Sequence, residues 1–492
     1  MHFTASLLRL DVPETESGQW MKKLRKGELF ETVVTDMAFG ARGVGRTEDF
    51  VWFIDRALPG QRVLARAGRI RKSYGEARLV EVLDPAPDQI DPPCPYFGVC
   101  GGCQMQHWRY EKQVESKTQQ VRDILQRIGN IGDPPVNESV AAEDLYAYRN
   151  KMEFTFSDRR WLLRDDPGEK PEDFALGLHV PGRFDKVLDL DGCLLQSDQN
   201  NKILREVKRY ASRSGLPPYS QKTHRGFWRF LILREGRRTG QLMVHLVTSG
   251  QYEPEGPKAV DGLFEELMQN HPGITTCIHG VSDSRGQVAR SETERVLHGT
   301  GRITEQLLGL EFEISPAAFF QTNTAQAEKL LRVVRDLADF QGGETVLDLY
   351  CGTGAIGLAV ADKVRRVIGV EVIESAVENA RRNAARNGVT NADFVLADMK
   401  NALRDQPDLL LSKTPDVAIL DPPRGGAHPK TIEDMLGIRA RKVIYVSCNP
   451  PMLAKDLKSL LSAYDLKNVQ PVDLFPHTKH IEIAALLELK SF

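Results

Sequence analysis

Residues 345–371 read TVLDLYCGTGAIGLAVADKVRRVIGVE: an apolar strand, a glycine-rich turn, a short helix and a second apolar strand. Glycines in such a turn let the backbone approach a ligand closely, and a carboxylate at a strand end accepts hydrogen bonds from it. Asp348 and Gly352 occupy these positions, and Glu371 ends the next strand, where an acidic side chain suits a ribose diol. The pattern predicts a doubly wound α/β sheet with a nucleotide-like cofactor.

Strands continue to alternate with helices from Leu310 to the C-terminus, and three more of them end in reactive or polar residues. These ends are Asp398 in VLAD, Asp421 in AILDPPR and Cys448 in VIYVSCNPP. Asp398 is placed to contact an adenine amine. A dinucleotide-binding dehydrogenase would explain the glycine turn, but it leaves Asp-Pro-Pro and the thiol at Cys448 unexplained.

The length and charge of the chain indicate several domains and allow a nucleic-acid partner. The 492 residues have a net charge of −2, yet residues 21–80 hold thirteen Lys and Arg against seven Asp and Glu. Residues 201–240 hold eleven against two. No apolar run is long enough to cross a bilayer, and the N-terminus lacks the features of a secretory signal. We therefore expect a cytoplasmic protein without a membrane partner.

Four regions are predicted along the chain: a flexible tail over 1–25, a small β-barrel over 26–84, a mixed α and β region over 85–309 and the α/β sheet over 310–492. Alternating residues, glycine turns and interspersed arginines indicate the barrel and give it a basic face. The barrel resembles OB-like modules that bind RNA through charged and aromatic side chains, and this resemblance makes the following residues candidate RNA contacts: Arg46, Phe50, Trp52, Arg69, Arg71, Lys72 and Tyr74. Phe227, Trp228 and Phe230, in a second basic stretch, are predicted to be core residues.

Four cysteines form a candidate metal site. Cys94, Cys100 and Cys103 are spaced C-x5-C-x2-C, and Cys193 is remote. Structural zinc usually binds two close pairs, whereas three clustered thiolates and one distant thiolate are compatible with an iron–sulfur cluster. An iron–sulfur cluster, zinc and no metal are the three alternatives that the spacing leaves.

LDLYCGTG, DPPRGG, SCNPP at 447–451, FFQTN at 319–323 and FPHTKHIE at 475–482 together resemble the RNA uracil-5-methyltransferases. The resemblance is closest to the bacterial subgroup that acts on 23S ribosomal RNA and carries a TRAM domain and a [4Fe–4S] cluster. It implies an S-adenosyl-L-methionine (SAM)-dependent methyltransferase fold of the Rossmann-like class, with an N-terminal OB-like barrel and a mixed α+β central domain. It also implies an RNA partner, and we expect a monomer.

The resemblance assigns roles to individual residues. Cys448 corresponds to the nucleophile that adds to C6 of uracil, and Glu482 to the base that removes the C5 proton. The positions that match the SAM site are Gln321, Tyr350, Glu371 and Asp421, with Asp348, Gly352 and Asp398 in support. The implied ligands of the [4Fe–4S] cluster are Cys94, Cys100, Cys103 and Cys193. His477 and His480 are expected to shape the wall of the active site.

One departure and two rival functions accompany this resemblance. Ala355 stands where family members often carry Asn, so one polar contact to the cofactor is expected to be missing. The first rival is the same chemistry on transfer RNA. The second is a catalytically inactive RNA-binding or assembly protein, against which the presence of Cys448, Glu482 and Asp421 argues.

Overall fold

The computed structural model describes residues 24–163, 172–402 and 414–491, so most of the tail predicted for 1–25 lies outside it. The chain forms two compact units. One comprises the residues up to Asp36 together with Arg42–Ala86, and the other comprises Met37–Ala41 together with the chain from Pro87.

The first unit is a closed five-stranded barrel, as the alternating sequence predicted, with strand order β1-β2-β3-β5-β4. Its strands are β1 (Leu29–Ala38), β2 (Arg42–Thr47), β3 (Phe50–Asp55), β4 (Arg62–Ile70) and β5 (Tyr74–Asp84). Trp52 points into the barrel core and is 1% exposed, and its indole N–H donates to Thr47 Oγ1 at 2.8 Å. Trp52 is therefore a packing residue, and its prediction as an RNA-stacking residue was wrong.

The middle of the second unit is a seven-stranded sheet of order β12-β11-β10-β9-β6-β7-β8. Its strands are β6 (Lys151–Ser157), β7 (Ala175–Val180), β8 (Arg183–Asp189), β9 (Trp228–Glu235), β10 (Leu242–Thr248), β11 (Thr276–Val281) and β12 (Thr293–His298). The helices of this region are α1 (Tyr110–Arg127), α2 (Asp198–Arg213) and α3 (Glu255–Asn270). Phe227, Trp228 and Phe230 are at most 3% exposed, which confirms their prediction as core residues.

After the hairpin β13 (Ile303–Leu307) and β14 (Leu310–Ile314), a second seven-stranded sheet has the order β17-β16-β15-β18-β19-β21-β20. Its strands are β15 (Thr345–Leu349), β16 (Arg366–Glu371), β17 (Ala392–Leu396), β18 (Val417–Leu420), β19 (Lys442–Ser447), β20 (Tyr464–Val472) and β21 (Glu482–Leu489). The helices are α4 (Thr324–Ala338), α5 (Ala355–Val360), α6 (Glu374–Arg386), α7 (Pro429–Ile438) and α8 (Pro450–Leu460). β17, β16, β15, β18 and β19 are parallel, which confirms the doubly wound sheet, and β21 returns antiparallel to β19.

The two large sheets share apolar cores within the second unit. Met243 and Ile278 of the first sheet pack in one cluster with Phe312 of β14 and Leu358 of α5. A boundary between a central and a catalytic domain at residues 309 and 310 stays a prediction. No helix among the described residues is long and apolar enough to cross a membrane.

Candidate active site

Cys448 and Glu482 lie side by side at the carboxyl edge of the parallel strands. Cys448 directly follows β19, and Ser447 pairs with Ile483 in the antiparallel register of β19 and β21. Because β21 runs in the opposite direction, its first residue, Glu482, lies at the edge where β19 ends. The sheet thus brings a thiol and a carboxyl group together from positions 34 residues apart in sequence.

A second loop joins this pair. The Asp-Pro-Pro-Arg turn, residues 421–424, follows the neighbouring strand β18, and Asn449 Nδ2 donates to Arg424 O at 2.7 Å. Asn449 is also the N-cap position of α8, whose first two residues are prolines. Asn449 therefore fixes the Cys448 turn to the Asp421 turn, a role that the sequence did not reveal.

The surroundings of the Cys448 thiol disfavour its ionisation. Burial raises its pKa to about 11, and nearby Glu482 and Asp421 act in the same direction while Arg424 opposes them. The N-terminus of α8 lies two residues beyond and contributes a partial positive charge. Since the thiolate is the reactive form, the site needs additional positive charge before Cys448 can attack.

Ionisation of the two carboxyl groups near Cys448 is disfavoured as well. Burial raises the pKa of Glu482 well above its ordinary value, and Asp421 adds to the effect while Arg424 opposes it. Burial also raises the pKa of Asp421 to about 7. A carboxyl group whose pKa is raised in this way is suited to accept and release a proton near neutral pH.

The glycine turn has the geometry of a cofactor cradle. Gly352 and Gly354 have φ of 55° and 82°, and Tyr350 has φ of 63°, which is a strained conformation for a bulky residue. The Tyr350 hydroxyl accepts from the His428 backbone N–H at 3.2 Å. Glu371 Oε2 accepts from Gly352 N at 3.1 Å, so the acidic end of β16 supports the turn.

The carboxyl groups of Asp348 and Glu371 differ in how many hydrogen bonds they accept. Glu371 Oε1 accepts from the backbone N–H groups of Val372 and Ile373, so together with the Gly352 bond about three of the roughly four acceptor sites of this carboxylate are used and Oε2 retains one. Asp348 is 0% exposed, and the backbone N–H of Gly357 is a hydrogen-bond donor that favours its charged form. Burial outweighs this bond and raises the pKa of Asp348 to about 8. A buried carboxyl group with so little hydrogen bonding fits a site that is completed by a ligand.

Gln321 and Asp398 lie on loops around the glycine turn. Gln321 precedes α4, and its backbone carbonyl accepts from Asn150 Nδ2 at 3.0 Å. Asp398 lies two residues beyond the end of β17, in the loop that follows the strand. Its side chain is exposed. Asp398 Oδ1 accepts from Lys400 N at 3.0 Å.

The FPHTKH loop that leads into Glu482 is held by the cysteine-bearing region. His477 is buried with φ of 65°, and its ring stacks on Tyr146 with centroids 4.6 Å apart. Its carbonyl oxygen accepts from the backbone N–H groups of Gln104 and Met105. Burial lowers the pKa of both His477 and His480 to about 4, so both rings are neutral at pH 7.

All four candidate ligands, Cys94, Cys100, Cys103 and Cys193, line one cavity of about 400 Å³ and form no disulfide. We call this cavity the cysteine pocket. Burial raises the pKa of Cys103 to about 12 and that of Cys193 to about 11. The backbone N–H of Gly102 donates to Cys100 Sγ at 3.3 Å.

The cysteine pocket offers thiols as donors. Within residues 24–163, 172–402 and 414–491, no group of three His, Cys, Asp or Glu side chains is arranged to hold a metal ion. The four thiols of the pocket are nevertheless half-buried, line one cavity and form no disulfide, and thiolates are the ligand type that an iron–sulfur cluster binds.

The barrel unit presents aromatic and basic side chains on one surface. The rings of Phe53 and Tyr74 are 5.5 Å apart, and the Arg42 guanidinium lies 5.0 Å from the Phe53 ring centre. Arg46 and Arg71 are exposed. Phe53 was not predicted from the sequence as an RNA contact. It is next to Trp52 in β3, and neighbouring side chains of a strand point to opposite faces, so the prediction for Trp52 assigned Phe53 to the core face.

Comparison with known proteins identifies the family. Residues 284–490 match the tRNA (uracil-5-)-methyltransferase family. An uncharacterised RNA methyltransferase of Chlorobaculum tepidum is 41% identical over 473 residues, which cover 95% of this chain and 97% of that protein. A second, from Caldanaerobacter subterraneus subsp. tengcongensis, is 37% identical over 94% of this chain and 100% of its own length.

A solved structure resembles the chain over nearly its whole length. The Pyrococcus abyssi tRNA (uracil-54, C5)-methyltransferase, crystallised with S-adenosyl-L-homocysteine (SAH), has a TM-score of 0.73 and 26% identity. The likeness covers 93% of this chain and 100% of that one, so the fold is that of the SAM-dependent methyltransferases. The chain therefore belongs to the RNA methyltransferases, and its C-terminal part is a tRNA (uracil-5-)-methyltransferase family domain.

Proposed function

We propose that this protein methylates C5 of a specific uridine in RNA and takes the methyl group from SAM. The observation that carries the proposal is the pairing of Ser447 with Ile483, which places the Cys448 thiol beside the Glu482 carboxyl group at the edge of the cofactor cradle. Supporting observations are the fully buried Asp348 carboxyl group, whose pKa is raised to about 8, and the strained Tyr350 in the glycine turn.

The chain's own residues supply a nucleophile and a base. The Cys448 thiolate adds to C6 of the uracil, which makes C5 an enolate-like carbon. SAM, when bound, supplies the electrophilic methyl group that C5 takes up. Glu482 then accepts the C5 proton, and the C5=C6 bond re-forms as the Cys448–C6 bond breaks, so the thiolate is regenerated.

The remaining residues bind and orient the reactants. Gln321, Tyr350, Glu371 and Asp421 are the proposed SAM contacts, and Asp348, Gly352 and Asp398 complete the cradle. Arg424 is the charged group that favours the thiolate at Cys448 and the carboxylate at Glu482. Because a stacked uracil cannot reach Cys448, the target uridine must leave its stack, which favours an unpaired loop.

We propose that the barrel is an OB-like TRAM module that binds RNA through Arg42, Arg46, Phe53, Arg71 and Tyr74. Stacking on Phe53 and Tyr74 and phosphate contacts by the arginines are the physical basis. RNA affinity should therefore fall steeply as salt rises from 50 to about 200 mM. A flat salt response would contradict RNA binding by this face.

We further propose that Cys94, Cys100, Cys103 and Cys193 hold a [4Fe–4S] cluster. When bound, the cluster would join the Cys94–Cys103 segment to Cys193 by iron–thiolate bonds. Iron analysis and visible absorbance of protein purified without oxygen test this proposal. Both signals should disappear in Cys193→Ala and persist in Cys277→Ala, whose cysteine lies in the core of the central sheet. Retention of both in Cys193→Ala would remove Cys193 from the ligand set.

The proposed RNA is 23S ribosomal RNA, because the combination of barrel and cysteine segment resembles the subgroup that acts on it. Transfer RNA is the second candidate, since the Pyrococcus abyssi structure that the chain resembles over 93% of its length is a tRNA enzyme. Mapping 5-methyluridine in both RNAs, from cells with and without the gene, distinguishes them. Loss from 23S RNA alone supports the first candidate, and loss from tRNA alone replaces it with the second.

A further inference from the structure

The cysteine pocket has an excess of positive charge in its wall. Besides the four cysteines it is lined by three cationic side chains, Arg149, Lys151 and Arg234, and by one carboxylate, Glu153. Lys151 of β6 pairs directly with Arg234 of β9 in the sheet register, so both side chains leave the same face. Like charges in such a pair repel each other, so a further anion in the pocket would stabilise the arrangement.

Of the three cationic side chains, Arg234 has the positive charge that its surroundings compensate least. It is 2% exposed, and its Nη2 donates to Ala318 O at 2.8 Å. Among the described residues, no atom accepts from its Nε or Nη1. Glu153 does not fill the gap, because it is half exposed and its carboxylate pairs with Lys151 Nζ at 2.5 Å. A buried guanidinium with two unused donors is costly unless an anionic acceptor occupies the pocket.

The proposed cluster has the charge that this wall requires. Three cations and one carboxylate leave two positive charges, and an oxidised four-iron cluster with four thiolates carries a net charge of about minus two. We propose that Arg234, together with Lys151, is the counter-charge of the cysteine-bound cluster and raises its reduction potential. This inference rests on the iron–sulfur assignment in the proposed function.

Arg234 also connects the cysteine pocket with the SAM cradle. The carbonyl that it binds, Ala318 O, lies three residues before Gln321, and Phe319, Phe320 and Thr322 of the same loop line the pocket. Arg234 thus lines the cysteine pocket and is hydrogen-bonded to the Gln321 loop, so it would act as a positioning residue between the two. Removing its charge should alter the potential, and removing its hydrogen bond should weaken SAM binding.

The test is an electrode titration of the holoprotein, purified without oxygen and monitored by paramagnetic resonance, with iron content and the KM for SAM as further readouts. The variants are Arg234→Gln, which removes the charge, and Arg234→Lys, which keeps it. Arg237→Gln is the matched control, because Arg237 lies three residues further on, is exposed in the turn after β9 and pairs with Glu235. Arg234→Gln should shift the reduced-to-oxidised ratio at fixed potential about tenfold toward oxidised, which equals about 59 mV for one electron.

Each outcome decides the inference. A lower potential or lost iron in Arg234→Gln, with near wild-type behaviour in Arg234→Lys and Arg237→Gln, supports it. If both Arg234 variants fold without iron, Lys151→Gln takes their place, and an unchanged potential there overturns the inference. Unchanged potential in Arg234→Gln, with weaker RNA binding and a smaller salt slope, also overturns it and assigns the pocket wall to RNA phosphate. Wild-type protein without iron would overturn the cluster itself, whereas uridine methylation is assayed separately.

Discussion

The backbone N–H of Gln104 donates to the carbonyl oxygen of His477 at 2.9 Å, and Gln104 Oε1 accepts from the backbone N–H of Lys479 at 3.2 Å. Gln104 directly follows Cys103, and Lys479 is three residues before Glu482. The side-chain Nε2 of Gln104 also donates to Gly101 O at 2.8 Å. One residue therefore links the cysteine segment with the loop that positions the proposed base.

Gln104→Ala should slow the reaction without weakening SAM binding. The substitution removes one hydrogen bond, worth about 1 kcal/mol, from the loop that carries Glu482, because Oε1 no longer accepts from Lys479 N, while the backbone bond to His477 O is kept. We expect kcat to fall about fivefold at an unchanged KM for SAM. Steady-state kinetics of Gln104→Ala beside Gln119→Ala, an exposed glutamine on α1, provide the test. Equal kcat in the two variants would show that Gln104 does not position the base.

Glu482→Gln should trap the enzyme on ordinary RNA. Cys448 can still add to C6 and C5 can still be methylated, but nothing then removes the C5 proton. A covalent protein–RNA adduct carrying the transferred methyl group should accumulate and be visible on denaturing gels with labelled SAM. Free 5-methyluridine RNA produced at the wild-type rate would rule out Glu482 as the base.

Alkylation of Cys448 should respond to pH and to the charge of the bound cofactor. With a pKa of about 11, about 0.1% of the thiol is ionised at pH 8, so its reaction with iodoacetamide should rise about tenfold per pH unit up to pH 9.5. SAM brings a sulfonium charge that lowers this pKa, whereas SAH, which lacks the sulfonium charge, provides the matched steric control. Mass spectrometry of the Cys448 peptide measures both effects. A plateau below pH 9, or equal rates with SAM and SAH, would contradict this electrostatic account.

The fully buried pair of Lys117 Nζ and Asp473 Oδ1, 2.7 Å apart, should be important for stability. Lys117→Met leaves the carboxylate of Asp473 uncompensated at 0% exposure, which typically costs about 3–5 kcal/mol of unfolding free energy. Denaturant unfolding measures this loss. The control Lys112→Met breaks an exposed pair with Glu115 and should leave the midpoint unchanged. Similar midpoints for the two variants would show that the buried pair contributes little.

The chemistry of the candidate site was predictable where strand ends carry unusual residues. SCNPP and DPPR identified Cys448 and Asp421 because proline-terminated apolar strands place their next residue at the sheet edge. The antiparallel register that brings Glu482 beside Cys448 depends on contacts far apart in sequence, so only the family pattern indicated it. Trp52 was misassigned because strand alternation leaves open which face of a barrel strand is buried.

The roles of Arg234 and Gln104 could not be predicted from the sequence, for a related reason. The strand WRFLILRE holds two arginines, and its sequence does not show that Arg234 has two donors without partners among the described residues. Similarly, a glutamine after a cysteine does not reveal that it contacts a loop more than 370 residues later. Both roles depend on where separate elements meet, and that is decided by packing rather than by local pattern.

The most direct test of uridine C5 methylation is covalent capture on RNA containing 5-fluorouridine, with SAM present. Fluorine cannot leave as a proton does, so addition of Cys448 to C6 followed by methyl transfer should leave a stable protein–RNA complex. The account predicts this complex for the wild-type protein and for Cys277→Ala, and its complete loss in Cys448→Ala. A SAM-dependent complex that persists in Cys448→Ala, or none in the wild type while RNA is still bound, would contradict it.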